Sequence, residues 1–294
     1  MNGYRYGLLA LVAVGLLGLS GASCPQMLAQ FTTPAPRVLP PSPALEQVVE
    51  AVNRRSSQIQ SFYSTSAAMS VPGYPTLRAS MAYERPRRFR LRAETGLTGP
   101  EVDLGSNDQM FWFWVRRSQP PAVYFCRHEQ YLTGRARQII PVDPSWVIEA
   151  LGVAELDPGL PHQGPFPAKG NRLEVRTIRE TPEGPTTKVT ILDALTAWVM
   201  EQRIYDAQGR PRASSVAEGY RRDPLSGLFI PTAIRLDCPP AQFSMRIDLG
   251  NAQINSLPSQ SGELWTVPSF PGTPLVDLGD PNLPQLGANS PRPN

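Results

Sequence analysis

The first element that the hydrophobic pattern predicts is an amphipathic helix over residues 43–60. Ser42 is a good N-cap residue, and Pro43 suits the first helical turn, where its missing N–H costs nothing. Apolar residues then recur at helical spacing while charged residues occupy the other face, so this helix is expected to lie on an apolar surface. The apolar stripe consists of Leu45, Val48, Val49, Val52 and Ile59.

After this helix, alternation of apolar and polar residues predicts a long series of short strands. In residues 77–83 and 88–93 apolar residues alternate with polar or charged ones, which is typical of antiparallel strands with one buried face. A second helix is predicted over 144–151, behind the N-cap residue Asp143. The other predicted strands are 102–104, 110–115, 122–126, 173–178, 189–192, 198–205, 212–220, 232–236 and 243–249. The pattern predicts a mostly β fold of the α+β class, built on one large curved antiparallel sheet or barrel.

The aromatic segment Met110–Val115 is apolar on both faces of its predicted strand, so both faces need a cover. Alternation places Phe111 and Phe113 on one face and Trp112 and Trp114 on the other, and a shift of one residue in register would exchange the two pairs. One interpretation is a central strand in an ordinary closed core. The other is that one face packs on a helix while the opposite face lines an interior cavity.

An apolar leader precedes the predicted domain. Arg5 is followed by an uncharged run of 13 residues, 7–19, which is short for a helix that crosses a bilayer core of about 30 Å. A positive start, a short apolar run and small residues are typical of a secretion signal, predicted over residues 1–23. The segment before Cys24 resembles the lipobox of bacterial lipoproteins, with Gly21 where leucine is usual. We expect Cys24 to be a lipidated N-terminus, and an ordinary signal peptide cleaved nearby is the alternative.

Proline is unusually frequent, at 33 of 294 residues, and many prolines lie near the two ends. Residues 24–41 are expected to form a proline-rich tether and residues 267–294 a disordered tail, because neither has sustained hydrophobic periodicity. The folded domain is therefore predicted over 42–266. The net charge is only +3 and no basic cluster occurs, so the sequence lacks the basic surface that a nucleic-acid-binding protein needs.

Two cysteines remain in the predicted domain, Cys126 and Cys238. In an oxidising compartment they could form a disulfide, which would close a long loop and contribute up to about 5 kcal/mol. They could equally be two separate buried thiols that pack as small hydrophobic side chains. The sequence leaves both alternatives open.

The sequence contains no motif of a known class of enzyme. The patterns GxGxxG, GxSxG and HExxH do not occur, and neither does a P-loop or a CxxC pair. The two histidines are His128, at a predicted strand end, and His162, in a loop rich in proline and glycine, and neither is spaced with other metal ligands. We therefore expect no catalytic activity, no metal site and no cofactor.

Several segments together resemble the LolA/LolB superfamily, which comprises bacterial periplasmic carriers and outer-membrane lipoproteins that handle the acyl chains of lipoproteins. In the family a glycine follows the acidic residue before the aromatic strand, whereas here Gln109 follows Asp108. The segments are the lipobox at Cys24, the end of the first helix at 59–62, the arginine-flanked strands around 86–90, the acidic residue and aromatic strand at 108–114, and the late strand at 230–234.

The resemblance implies an unclosed half-barrel of antiparallel strands whose concave face is covered by helices, among them 43–60 and 144–151. Beneath these helices it implies an apolar cavity that binds an acyl chain. The candidate lining residues are Phe89, Leu91, Phe111, Phe113 and Trp146.

The function expected from the resemblance is that of an envelope lipoprotein, anchored in a membrane through Cys24, which binds a lipid or an acylated lipoprotein as a carrier or acceptor. Pro25 is not the aspartate that retains some lipoproteins in the inner membrane, so an outer-membrane anchor facing the periplasm is expected. The alternative is an envelope sensor or scaffold similar to the RseB branch of the superfamily, in which the domain binds a partner protein.

Overall fold

The computed structural model of the chain describes residues 35–131, 136–140, 145–258 and 261–283, and at 138 and 139 it describes the backbone only. The predicted signal peptide, Cys24 and most of the predicted tether lie outside the described residues. Every element below belongs to one compact unit, Arg37–Asn294. In the described part of the chain no helix is long and apolar enough to cross a membrane.

The predicted first helix is confirmed as α1, Leu45–Gln58. It begins later than the sequence suggests because Ala44, not Ser42, is the N-cap residue, and the Ala44 N–H donates a 2.9 Å hydrogen bond to the Gln47 side chain. The three other α-helices of the described residues are short. They are α2 His128–Tyr131, α3 Ala136–Ile139 and α4 Ser145–Ile148, and α4 continues as a π-helical turn, Glu149–Val153, in place of the regular helix predicted over 144–151.

The predicted strands are present, and four further strands at 61–70, 162–168, 253–254 and 275–277 were not predicted. The first half of the chain contributes β1 Ser61–Ser70, β2 Leu77–Glu84, β3 Arg88–Thr95, β4 Gly99–Ser106, β5 Met110–Val115 and β6 Val123–Arg127. The second half contributes β7 His162–Ala168, β8 Arg172–Arg179, β9 Thr186–Asp193, β10 Val199–Tyr205, β11 Pro211–Arg222, β12 Phe229–Cys238, β13 Phe243–Asp248, β14 Gln253–Ile254 and β15 Leu275–Asp277.

These strands form one unclosed sheet with the order β15-β6-β5-β4-β3-β2-β1-β13-β12-β11-β10-β9-β8-β7, and β14 pairs with β1. All pairs are antiparallel except β15 with β6, which is parallel. Neighbours in the chain are mostly neighbours in the sheet, because short turns favour antiparallel pairing of consecutive strands. Three pairs join the two halves of the chain: β1 with β13, β1 with β14, and β6 with β15.

One face of the sheet is apolar and carries the helices; we call it the helix-covered face. Residues paired directly across neighbouring strands lie on the same face. In the first half of the sheet one such row is Met81, Leu91, Leu104 and Phe113, and in the second half another is Val175, Thr190, Gln202, Ser215, Leu236 and Met245.

Both longer helical segments pack on this face. Val48 and Val52 of α1 belong to a buried cluster with Val175. Leu151 of the π-helical turn belongs to the largest buried cluster, together with Ile234 of β12. Burying each such side chain contributes about 1.5–3 kcal/mol, which is why the segments are held on the sheet. The opposite face is charged over β11–β13, where Glu218 lies between two arginines, Arg235 at 2.6 Å and Arg246 at 2.8 Å.

Two predictions from the sequence need correction. His162 does not lie in a loop: it begins β7, the strand at one edge of the sheet. The predicted boundary at 266 is too early, because residues 267–283 pack on the sheet, with Val267 and Phe270 against the buried Trp112 and Trp114, and with β15 at the other edge. Prolines prevented regular periodicity in both segments, although their backbones can still pair at sheet edges.

Candidate functional site

The helix-covered face contains an apolar groove of about 710 Å³. Its walls are formed by the apolar residues of β2–β5, by the facing ends of β12 and β13, and by α4. Typical lining residues are Leu77, Phe89, Leu104, Phe113, Trp146 and Met245. The groove is therefore bounded by aromatic and aliphatic side chains that come from both halves of the sheet.

Four of the five predicted lining residues line this groove: Phe89, Phe111, Phe113 and Trp146. The fifth, Leu91, lies on the same face, paired with Leu104, but it is fully buried in the core and does not reach the groove surface. Leu91 is therefore corrected from a lining residue to a core residue.

The register of β5 decides which face the aromatic residues occupy. Phe113 pairs with Leu104 and stacks on Tyr124 with the ring centroids 5.1 Å apart, whereas Trp112 and Trp114 lie on the opposite face. Trp114 stacks there on Phe270 with the ring centroids 3.9 Å apart. Both interpretations of this strand are thus partly realised, because one face lines a groove and the other is ordinary core.

A buried ion pair supports β5 from the outer side. Arg90 and Asp103 are almost completely buried, and they meet through two hydrogen bonds of 3.1 and 2.6 Å. The indole N–H of Trp112 donates to the same carboxylate at 3.1 Å, and Arg90 also donates to the backbone carbonyls of Leu264 and Thr266. Such a pair is stable only when its hydrogen bonds are complete, as they are here. The hydrophobic pattern does not reveal this pair, because Arg90 lies in the same alternation as its more exposed neighbours Arg88 and Arg92.

At one end of the groove, apolar side chains reach solvent. Tyr74 follows β1, Val115 ends β5 and Phe243 begins β13, and their exposed fractions are 65, 38 and 41%. A long apolar molecule can therefore enter from this end without disruption of the sheet. Exposed apolar side chains that are grouped at a groove indicate a binding site more strongly than single exposed apolar side chains elsewhere on the surface.

The segment 145–156 runs across the helix-covered face and bounds the groove. Gly152 has a φ of 100°, and a Cβ atom there would lie 2.7 Å from the Pro231 ring, so only glycine fits. The segment is held at Leu156, whose backbone N–H and carbonyl both bond to the Asn53 side chain at 2.8 Å. Lys188 holds it through an ion pair with Glu149.

The other residues considered for chemistry are structural. Cys126 and Cys238 are free and buried, so they form no disulfide in this structure. Burial raises the pKa of the Cys126 thiol to about 11 and also raises that of Cys238, which disfavours the reactive thiolate. His128 lies 2.9 Å from the Asn107 carbonyl through Nε2. Within the described ranges, no group of three histidine, cysteine or acidic residues is placed to hold a metal ion.

The described chain is thus a mostly β protein whose unclosed sheet, covered by helices on one face, holds an apolar groove. No family model matches the chain, and no curated protein matches it in sequence. Among solved structures, it is similar to a DUF1329 family protein from Desulfovibrio piger, with 12% identity, a TM-score of 0.49, and coverage of 76% of this chain and 99% of that chain.

Two further solved structures are similar to the chain. One is a LolA superfamily protein from Nitrosomonas europaea, with 10% identity, a TM-score of 0.44, and coverage of 74% of this chain and 97% of that one. The other is an outer membrane lipoprotein-sorting protein domain from Vibrio parahaemolyticus, with 9% identity, a TM-score of 0.48, and coverage of 75 and 99%. The expected structural similarity to the LolA superfamily is present, and at TM-scores below 0.5 it says nothing about ligand or partner.

Proposed function

We propose that this protein is a cell-envelope carrier or acceptor that binds the acyl chain of a lipid or lipoprotein in the apolar groove. The observation that supports this most directly is the groove itself, with Phe89, Phe111, Phe113 and Trp146 in its lining. Its volume of about 710 Å³ lies within the range of roughly 300–1,000 Å³ that is usual for ligand sites. The absence of enzyme motifs in the sequence agrees with a role in binding rather than in catalysis.

Acyl chains suit such a groove for a physical reason. Each methylene transferred from water to an apolar environment contributes about 0.8 kcal/mol, and the interaction needs no directional partner. Two charged residues, Glu101 and Arg117, also line the groove. Glu101 already accepts a hydrogen bond from the Thr98 hydroxyl. A chain that enters past Tyr74 therefore meets aromatic and aliphatic side chains along most of its path.

The proposal places this domain at the outer membrane, facing the periplasm, through acylation of Cys24. The proline-rich residues 24–36 then act as the tether. This is shorter than the 24–41 expected from the sequence, because Leu39 is buried in a cluster with Val48 and its N–H donates to the Leu195 carbonyl. A Cys24→Ala variant should lose incorporation of labelled palmitate and should be released from membranes by washing. Retention of the label in that variant would contradict the anchor.

The test of the binding site is native mass spectrometry of residues 37–294, purified without detergent from the periplasm. The fragment starts at the compact unit and keeps the residues beyond 266 that cover Trp114. We expect a co-purifying mass that matches a phospholipid or an acylated peptide. Phe113→Asp should abolish this mass, because Phe113 is only half-buried and its replacement puts a charge into the groove.

The matched control is Leu225→Asp, which makes the same kind of change at an exposed turn residue outside the groove. It should retain the bound lipid. If the unmodified protein has no bound lipid and ignores added lipid, the proposal fails, and the sensor or scaffold that binds a partner protein becomes the better hypothesis.

A further inference from the structure

A second groove lies on the helix-covered face, and its chemistry is the opposite of the first. This polar groove has a volume of about 790 Å³ and lies between α1, the segment 145–160 and the ends of β8–β11. Trp146 lines both grooves, so the polar groove begins on the far side of α4 from the apolar one.

The carboxylates of the polar groove are already engaged. Four of them form ion pairs, and the fifth, Asp157, accepts a 2.9 Å hydrogen bond from the backbone N–H of Gly159. The four pairs are Glu149–Lys188, Glu155–Arg85, Glu183–Arg137 at 3.1 Å and Asp206–Arg210 at 2.8 Å.

The arginines of the groove, in contrast, keep unused donors. Arg179 and Arg212 line it, and neither forms an ion pair with any described residue. Arg137 is mostly buried and meets Glu183 through Nη2, whereas its Nη1 is buried without a hydrogen-bond partner in the described part of the chain. An unpaired buried guanidinium nitrogen costs free energy, so an acceptor at this position would be stabilising.

The floor of the groove continues into a buried polar row. Lys188 pairs with Thr177 and Ile204, and all three line the groove. The next residues along the same face are Thr190 and Gln202, each 1% exposed. Among the residues that the structure describes, the hydroxyl of Thr190 and both amide atoms of Gln202 have no hydrogen-bond partner. Buried polar groups normally have one, so this row is an unusually polar part of the sheet beneath the groove.

We propose that the polar groove binds an oxyanion, a phosphate or carboxylate group, through Arg137, Arg179 and Arg212. Arginine presents several donors in a planar fork that fits the oxygens of either group. Two kinds of ligand carry such an oxyanion. One is a free anion, and the other is an amphiphile whose head group occupies this groove while its chain occupies the apolar groove beyond Trp146. This site is separate from the one in the proposed function and can be tested without it.

The experiment measures three ligands on the full chain. Inorganic phosphate tests the free anion, and lauroyl lysophosphatidate is compared with monolauroylglycerol, which has the same chain without the phosphate. The test variant is Arg179→Glu combined with Arg212→Glu, both at groove positions that are not fully buried. The matched control is Arg78→Glu, an exposed arginine of β2 outside both grooves. Circular dichroism and thermal melting verify that each variant is folded.

Two outcomes support the proposal. Saturable binding of phosphate that is lost in the double variant and kept in Arg78→Glu assigns the site to a free anion. The second outcome is that lysophosphatidate binds at least about tenfold more tightly than monolauroylglycerol, and that this difference disappears in the double variant but not in Arg78→Glu. That result assigns the site to the head group of an amphiphile. Equal affinity for the two lipids together with no phosphate binding overturns the proposal, and so does a preference that survives in the double variant. Phosphate binding without any binding of monolauroylglycerol would keep this site and reject the acyl-chain groove.

Discussion

At the scale of single residues, close contacts explain several positions that the sequence pattern leaves unremarked. Gly105 of β4 is paired with Trp112, and a Cβ atom at Gly105 would lie 2.1 Å from the indole ring. The indole can therefore lie across the strand and reach Asp103 only because Gly105 has no side chain. The buried pair of Arg90 with Asp103 depends on this arrangement, since Trp112 covers it.

Gly105→Ala should destabilise the protein by about 2 kcal/mol, because overpacking of a filled core typically costs 1–3 kcal/mol. The measurement is the free energy of unfolding from urea titration. Gly96→Ala is the control, since no atom lies within 4 Å of its Cβ position, and it should change stability by less than about 0.5 kcal/mol. Equal effects of the two variants would show that the indole does not occupy the observed position.

The two cysteines of residues 37–294 should be free thiols that react only after unfolding. Because burial raises the pKa of Cys126 to about 11, only about one thiol in a thousand is ionised at pH 8, and this fraction increases as the pH rises towards 11. A thiol reagent added in denaturant without reductant should count two thiols per chain. A count of zero would establish the Cys126–Cys238 disulfide that the sequence leaves open.

At the scale of elements, the C-terminal segment has a role that its composition hides. Residues 261–270 lie over the outer side of β3–β6, where Trp265 is buried and Phe270 stacks on Trp114. The chain then pairs β15 with β6 at the sheet edge, and Leu278 packs in the cluster of Phe111. Covering an edge strand removes a template for pairing between molecules. This segment is therefore part of the folded domain and not a passive tail.

Phe270→Ala should lower the free energy of unfolding by about 1–2 kcal/mol, less than the 3–5 kcal/mol of a fully buried phenylalanine, because Phe270 is only half-buried. The fluorescence of Trp114 should shift to longer wavelength as its stacked cover is lost. Ser269→Ala, a change at the exposed neighbouring residue, should alter neither property. An unchanged stability in Phe270→Ala would mean that the segment does not hold the sheet in solution.

At the scale of the whole molecule, the sheet separates two kinds of surface. Its helix-covered face offers an apolar groove on one side of α4 and a polar groove on the other, with Trp146 in the lining of both. The opposite face carries the charged ladder around Glu218 and the cover formed by residues 261–270. The two grooves of different polarity therefore lie on the same face of the sheet.

Binding in the apolar groove should stabilise the whole protein. A ligand at a hundred times its dissociation constant adds about 2.7 kcal/mol to the free energy of unfolding, provided that it does not bind the unfolded chain. We expect monolauroylglycerol to raise the melting temperature of residues 37–294 and of Leu225→Asp. It should leave Phe113→Asp unchanged, and an equal rise in that variant would place the lipid elsewhere.

The alternation of apolar and polar residues was sufficient to predict α1, α4 and most strands, because one buried face imposes a period of two on a strand. It missed β1, whose burial pattern is irregular and whose register shifts between Ser64 and Ala67, and the two-residue strand β14. It also missed β7 and β15, where prolines interrupt the pattern and where pairing at the sheet edges supplies the missing information. It could not separate Leu91 from Phe89, which alternate on the same face, because depth below the groove surface depends on what lies above each residue.

The sequence by itself determined the mostly β class of fold and which residues alternate together on one face of a strand, since local periodicity is a property of short segments. Which of the two faces carries the helices was decided by the tertiary structure, and with it that Phe111 and Phe113 lie on the groove side while Trp114 packs on the opposite side. Only the tertiary structure decided that Met245 and Leu77 share a groove with Phe113, because this requires β1 to pair with β13 from the far end of the chain. The existence of the polar groove was also decided only by the tertiary structure. Its arginines at 137, 179 and 212 are far apart in sequence, and they line one cavity because the turns after β8 and β10 meet there.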